Sequence, residues 1–140
     1  DGMPLTDLGN AERLLRTHGS DLRYCVAWKS WLVWTGTHWE RDAGDHEVRR
    51  RSVETILDLT NVAAVDFSPD LQPAQRTALV KHSERSQSVN RIAAMVDMAR
   101  SRPNVIVSPE RLDDDPYLVN FGNGTLLRYE DLCKWRWVTR

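Results

Sequence analysis

Residues 22–39 read LRYCVAWKSWLVWTGTHW, and four of the chain's six tryptophans fall within this stretch. Aromatic and β-branched residues favour strands. The alternation of Tyr24, Val26 and Trp28 predicts one strand, and residues 31–34 predict a second. A turn at residues 35–37 precedes a short third strand at 38–40. The stretch therefore predicts a small β-meander in which aromatic side chains pair across strands.

Helical patterns flank the meander. Thr6 or Asp7 can cap a first helix that ends at Gly19, and Asp45 can cap a long helix from about 46 to 65. The apolar stripe predicted for the long helix consists of Val53, Ile56, Leu57 and Ala63 or Ala64.

Two more helices are predicted after the break at Ser68-Pro69-Asp70. Pro73 suits the first turn of a helix over 72–86, and Ser88 can cap the next, which ends before Pro103. The apolar stripe of this last helix consists of Val89, Ile92, Ala93, Val96 and Ala99, with Met95 beside it.

The last forty residues change character. Residues 104–107 predict a short strand, and residues 108–112 a turn or a single helical turn. Residues 117–119 and 125–127 predict a hairpin around Gly122-Asn123-Gly124. The fold class is thus α+β: a mainly helical single domain with a small N-terminal aromatic β-meander and a C-terminal β-hairpin.

The length of 140 residues fits one domain, and 41% hydrophobic and 28% charged residues are ordinary for a globular protein. The formal net charge of -1 gives no global indication of nucleic-acid binding. No stretch approaches the length of a membrane span, so we expect no membrane partner. The two cysteines, Cys25 and Cys133, are expected to be reduced in a cytoplasmic protein.

Catalytic motifs are absent from the sequence. It contains no GxxxxGK[ST], GxGxxG or GxSxG pattern. The acidic run Asp113-Asp114-Asp115 lacks the spacing of a calcium loop, so it is predicted to be a solvated loop. We therefore assign no catalytic residue, no metal and no cofactor. A nuclease that uses this run with Glu110 is the weakest of the functions considered.

Local charge is more informative than net charge. Residues 71–102 carry six bases and two acids, a net charge of +4, while the remaining chain carries -5. This segment is either a phosphate-binding face or a basic surface that meets the acidic part of a second subunit. The tryptophans either pack the hairpins or form a base-stacking platform. The candidate contact residues for nucleic acid or a partner are Arg76, Lys81, Arg85, Arg91, Arg102, Trp28 and Trp34.

Several segments together resemble a known family. The segments LRYC at 22–25, Trp28, WLVW at 31–34 and GTHW at 36–39 are similar to the opening of the poxvirus-type helicase-primase domain of phage and plasmid primases. Further matching segments, in the same order, lie at residues 5–11, 88–99, 107–113, 115–120 and 123–126. The resemblance covers about residues 5–127.

The resemblance implies an architectural role. In that family the domain lies between an upstream primase part and a downstream hexameric superfamily 3 helicase, helps to assemble a collar and contacts nucleic acid. The ATP site belongs to the downstream part, so no catalytic residue is carried over to this chain. After residue 126 the family pattern D-L-x-T-G-x-L is missing, and residues 128–140 are predicted to be a divergent tail outside the domain at 5–127.

Two functions remain open from the sequence. One is a non-catalytic module of a phage or prophage replication helicase-primase that binds single-stranded or forked DNA, assembles into an oligomeric collar, or both. The other is an interaction factor that binds and regulates a helicase-primase or a host replication protein without contacting DNA. Either is expected in the cytoplasm of a bacterial host.

Overall fold

The computed structural model describes residues 2–64 and 71–112 and the strands at 118–121, 124–129 and 134–138. The helices are α1 (Asp7–His18), α2 (His46–Ala64), α3 (Pro73–Ser86) and α4 (Val89–Arg100). The strands are β1 (Leu22–Cys25), β2 (Ser30–Trp34), β3 (Trp39–Arg41), β4 (Ile106–Val107), β5 (Leu118–Phe121), β6 (Gly124–Tyr129) and β7 (Lys134–Val138). The α+β class predicted from the sequence is confirmed.

Local sequence explains most helix ends. The Thr6 hydroxyl accepts a hydrogen bond of 3.1 Å from the Gly9 amide at the start of α1. The Ser88 hydroxyl accepts one of 3.3 Å from the Arg91 amide at the start of α4. Pro73 opens α3, where its missing N–H costs nothing. The caps at Thr6 and Ser88 and the place of Pro73 in a first turn are as the sequence predicts, whereas the capping box of Gln72 with Gln75 at the start of α3 was not predicted.

The predicted cap of α2 is wrong. A 3-10 turn at Ala43–Asp45 precedes the helix, and Asp45 has a positive φ of 57°. The carboxylate of Asp42 instead accepts from the amides of Glu47 and Val48, at 2.9 and 2.8 Å. The extra turn moves the cap three residues earlier than the helical pattern indicates.

The predicted apolar stripe of α2 is also partly wrong. Ile56 and Ala63 are buried, but Val53 and Leu57 are exposed. The buried face includes Ser52 and Thr55, whose hydroxyls donate to the carbonyls one turn earlier at 2.8 Å. Because their hydroxyls are satisfied by the helix backbone, these polar residues can face the core.

The stripe of α4 needs one correction, since Val89 is exposed at the first helical position. The buried residues of this helix are Ile92, Met95, Val96 and Ala99.

The meander forms as predicted, although its first strand is shorter. Strand β1 ends at Cys25, so Val26 and Trp28 lie in the turn at 26–29 rather than in a strand. Lys29 in this turn has a φ of 48°, a left-handed conformation that breaks strand geometry. The turn therefore carries Trp28 beyond the end of the strand.

The four-stranded sheet has the order β3-β2-β1-β4. The meander strands are antiparallel, whereas β4 pairs with β1 in parallel, with Tyr24 opposite Ile106. The fully buried Trp31 joins the core formed with the helices, and its ring meets that of Tyr24 edge-to-face at 5.4 Å. One face of the sheet is thereby fixed against the helical layer.

A second sheet has the order β5-β6-β7, with both pairs antiparallel. Phe121 lies opposite Gly124, which agrees with the predicted hairpin, and β7 adds a third strand to it. Gly122 and Asn123, for which a turn was predicted, the acidic run at 113–115 and Cys133 lie outside the described residues. Cys25 is a buried free thiol.

Candidate nucleic-acid interface

The pairing of the meander brings two arginines into one row. In register, Leu32 of β2 lies opposite Arg23 of β1 on one side and opposite Arg41 of β3 on the other. Residues that are paired directly across antiparallel strands share a face of the sheet. Since Trp31 faces the helices, its neighbour Leu32 and the two arginines lie on the opposite face.

Three tryptophans join these arginines. The guanidinium carbon of Arg41 lies 4.3 Å from the Trp28 ring centroid, and that of Arg23 lies 5.1 Å from the Trp39 ring centroid. Both distances are within the range of cation–π attraction. Trp39 also meets Trp34 edge-to-face, with centroids 5.3 Å apart. We call the set Arg23, Trp28, Trp34, Trp39 and Arg41 the Arg–Trp face.

The Arg–Trp face is open to solvent at one end. Trp28 is 39% exposed and Arg41 is exposed, while Arg23, Trp34 and Trp39 are half-buried. The Arg–Trp face therefore combines indole rings with two fixed positive charges. Such a combination can stack nucleic-acid bases and contact phosphates.

A cleft of about 400 Å³ borders the Arg–Trp face and shares Trp34 and Arg41 with it. Its far wall is the beginning of α2, including Glu47 and Arg51. Arg50 and Arg51 donate to the Glu47 carboxylate at 2.7 to 3.0 Å. The hydrogen bond from Arg50 is the main cause of a Glu47 pKa of about 2. These two arginines are thus engaged with carboxylates, although Arg50 is exposed to solvent like Arg49, and only Arg51 of the run is half-buried.

The basic segment divides into two parts. Lys81 and Arg85 are exposed one turn apart on α3, and Arg76 on the same helix is half-buried. Arg91 contacts Asp7 at 2.8 Å, and Arg102 contacts Glu12. Both carboxylates belong to α1, which packs against α4. The positive charge of Arg91 and Arg102 therefore faces acidic partners within the same chain.

Of the residues predicted from sequence, the structure places Trp28 and Trp34 on the Arg–Trp face. Four of the five basic residues lie on α3 and α4, and Arg102 follows the end of α4. Sequence reasoning missed Arg23, Trp39 and Arg41. In the structure the strand register aligns both arginines with Leu32, but the third strand predicted at 38–40 stops short of Arg41.

Among the described residues, no three His, Cys, Asp or Glu side chains lie close enough to hold a metal ion. Within that same part, no helix is both long and apolar enough to cross a membrane. Glu110 lies exposed in a 3-10 turn at Pro109–Arg111. The acidic run at 113–115, considered with Glu110 as a nuclease site, lies outside the described residues.

Comparison with known proteins gives one family. The model of the family described as "D5 N terminal like" matches residues 11–133, which is most of the chain. No curated protein matches the chain. The match includes the whole Arg–Trp face and all four helices except the first residues of α1.

Proposed function

Since the chain belongs to the D5 N terminal like family, the N-terminal domain of phage- and poxvirus-type primase-helicase proteins, we propose that it is a non-catalytic module that binds single-stranded DNA through the Arg–Trp face. The observation that carries the proposal is the interleaving of Arg23 and Arg41 with three tryptophans on one face of the sheet. The biological setting is the replication helicase-primase of a phage or prophage.

Stacking explains the preference for a single strand. The flat faces of bases are accessible in single strands and are covered by neighbours in a duplex, so indole rings select unpaired nucleotides. Every base has a stacking face, so the contact is tolerant of sequence. We therefore expect binding to single-stranded or forked DNA with little sequence preference.

The guanidinium groups add attraction for phosphates. Arg41 and Arg23 are held over indole rings, so part of their conformational freedom is already lost before DNA binds. Lys29 in the turn beside Trp28 adds a further exposed cation. These charges make the binding salt-dependent.

The test is fluorescence anisotropy with labelled oligo-dT at low salt, and with an oligonucleotide of equal length in which the bases are replaced by abasic sites. We expect Trp28→Ala to weaken oligo-dT binding by roughly 5-fold or more, because a stacked base contributes about 1–3 kcal/mol. Arg41→Gln should weaken it as well. Arg49→Gln is the matched control, since it removes one exposed arginine from α2, outside the Arg–Trp face.

Two results would contradict the proposal. One is equal affinity for the abasic oligonucleotide, which would show that phosphates alone are recognised. The other is an equal loss in Arg49→Gln and Arg41→Gln, which would show that only total charge matters.

Collar assembly and binding to a helicase-primase or host replication protein stay predictions from the family resemblance. Size exclusion with light scattering, with and without a forked oligonucleotide, separates them from DNA binding by a monomer. Co-purification with a helicase-primase without DNA binding would favour the interaction factor.

A further inference from the structure

A small depression lies where the residues before α1 meet the end of α3 and the beginning of α4. It has a volume of about 100 Å³ and is lined by Leu5, His82, Arg85, Ser86 and Arg91. Four of the five lining residues are polar or charged. The depression is separate from the Arg–Trp face, with which it shares no residue.

A buried hydrogen-bond network forms its floor. Asn10 is fully buried, and its amide nitrogen donates to the Ser86 hydroxyl at 3.0 Å. The Asn10 carbonyl oxygen accepts from His82 Nε2 at 2.8 Å and from Arg13 Nη1 at 3.4 Å. This arrangement places the proton of neutral His82 on Nε2, so Nδ1 is the atom that gains a proton on acidification.

Arg13 is itself fixed beneath this network. It is 3% exposed, and it donates to the carbonyl oxygens of Pro4 and Met3 at 3.0 and 2.8 Å. These bonds tie the residues before α1 to the helix. The wall that contains Leu5 is therefore held in place without a ligand.

The charges around the depression are unequal. Arg13, Arg85 and Arg91 contribute three positive charges, and Asp7, which contacts Arg91 at 2.8 Å, contributes one negative charge. The excess is positive even when His82 is neutral. Arg85 is exposed on α3 and lines the depression.

We propose that this depression binds one tetrahedral oxyanion, namely a phosphate group that is either free or part of a nucleic-acid backbone. The donors are the guanidinium groups of Arg85 and Arg91 and the hydroxyl of Ser86. The small volume favours a single phosphate group over a whole nucleotide. This site goes beyond the proposed stacking function and does not depend on it.

Protonation of His82 is coupled to the site. Burial is the main cause that lowers the pKa of His82, and Arg13, Arg91 and Arg85 lower it further, while Asp7 raises it. A bound anion adds negative charge beside the ring and favours the protonated form. By linkage, anion binding raises the pKa of His82, and the affinity for the anion rises as the pH falls.

The experiment is an NMR titration of the His82 ring in the full chain, with inorganic sulfate compared with chloride at equal ionic strength. His82→Gln identifies the resonance by its loss. We expect sulfate to raise the pKa of His82 by about half a unit or more, a threefold change in the protonation equilibrium, with saturation. Sulfate is the probe because it does not titrate across this range.

Arg85→Gln tests whether the arginine that lines the depression binds the anion, and Lys81→Gln on the same helix is its matched control. We expect Arg85→Gln to abolish most of the sulfate-induced shift and Lys81→Gln to preserve it. Both residues are exposed, so a thermal melt should show that both variants fold like the parent chain. Equal loss in the two variants, a shift that does not saturate, or an equal shift at the exposed His38 would overturn the site.

Oligo-dT replaces sulfate in a second arm. If it raises the pKa of His82 at lower concentrations than sulfate, the phosphate is supplied by the DNA backbone. If only the inorganic anion acts, the site takes a free phosphate. Because the sulfate arm contains no bases, its failure leaves the test of the Arg–Trp face unaffected. Failure of the Arg–Trp face to bind oligo-dT likewise leaves the sulfate titration unaffected.

Discussion

Arg41 of β3 lies over the indole ring of Trp28 in the β1–β2 turn, with its guanidinium carbon 4.3 Å from the ring centroid. The two residues are 13 positions apart in sequence (28 to 41) and meet because β2 pairs with the strands on both sides. Each side chain limits the rotamers of the other. The contact therefore presents a ring and a cation together in a fixed arrangement.

We expect Arg41→Lys to weaken oligo-dT binding severalfold although it preserves the charge. A lysine ammonium lacks the planar group that stacks on an indole and donates through a fork. Anisotropy at low salt measures the effect, and Arg49→Lys on α2 is the control. If Arg41→Lys binds like the parent chain, the planar stack has no part in DNA binding.

Two helical leucines that differ in burial should differ in their contribution to stability. Leu14 of α1 is fully buried, while Leu57 of α2 is 45% exposed. Leu14→Ala should lower the free energy of unfolding by about 2–5 kcal/mol, because it removes buried surface and leaves a cavity. Leu57→Ala should cost less than about 1 kcal/mol. Urea denaturation measures both, and comparable losses would contradict the described burial.

Asp42 supplies the observed cap of α2. Its carboxylate accepts hydrogen bonds from the Glu47 and Val48 amides at 2.9 and 2.8 Å. Asp42→Ala should lower the free energy of unfolding by about 1–2 kcal/mol, since two amides at the helix start lose their acceptor. Asp45→Gly, which removes the carboxylate at the position that the sequence pattern indicates and suits its positive φ, should cost clearly less. Urea midpoints of the two variants decide between the caps.

Acid should destabilise the fold through His82. Burial and nearby arginines lower its pKa below the ordinary value of 6.5. The unfolded chain therefore binds the proton at a higher pH than the folded chain, and stability falls as the pH drops below about 6.5 towards the lowered value. His18 has a pKa shifted in the same direction, mainly by burial.

The check is the urea midpoint at several pH values for the parent chain and for His82→Gln. The variant should lose part of the decrease on acidification, because an amide replaces the titrating ring. His38→Gln in the exposed turn controls for the removal of a histidine. An unchanged slope in His82→Gln would contradict the prediction.

Sequence patterns predict those helices whose ends are set by residues at the ends themselves. Pro73 and Ser88 specify the starts of α3 and α4 by their own chemistry, and the structure confirms both. The cap of α2 was not predictable in this way, because Gly44 and Asp45 adopt positive φ angles and insert a 3-10 turn. The polar part of its buried face was missed because Ser52 and Thr55 satisfy their hydroxyls within the helix.

The candidate site also depends on contacts between residues that are distant in sequence, which local patterns do not predict. Trp28 and Trp34 were candidates for stacking from residue type alone, and that role stays a prediction. Arg23 and Arg41 are 18 positions apart (23 to 41) and become neighbours of Leu32 only through strand register. The pairing of Arg91 with Asp7 depends on how α1 packs against α4, which no local pattern encodes.

The parallel pairing of β4 with β1 has a consequence for how the chain folds. Tyr24 and Ile106 are paired across the two strands although 82 positions separate them (24 to 106). The segment between them contains α2, α3 and α4. Such a distant contact forms late, since closing a long loop costs entropy before the pairing repays it. Until then β1 presents an open edge, which favours association with other chains. A nascent or truncated chain that ends before residue 106 is therefore expected to aggregate, even though its meander is complete.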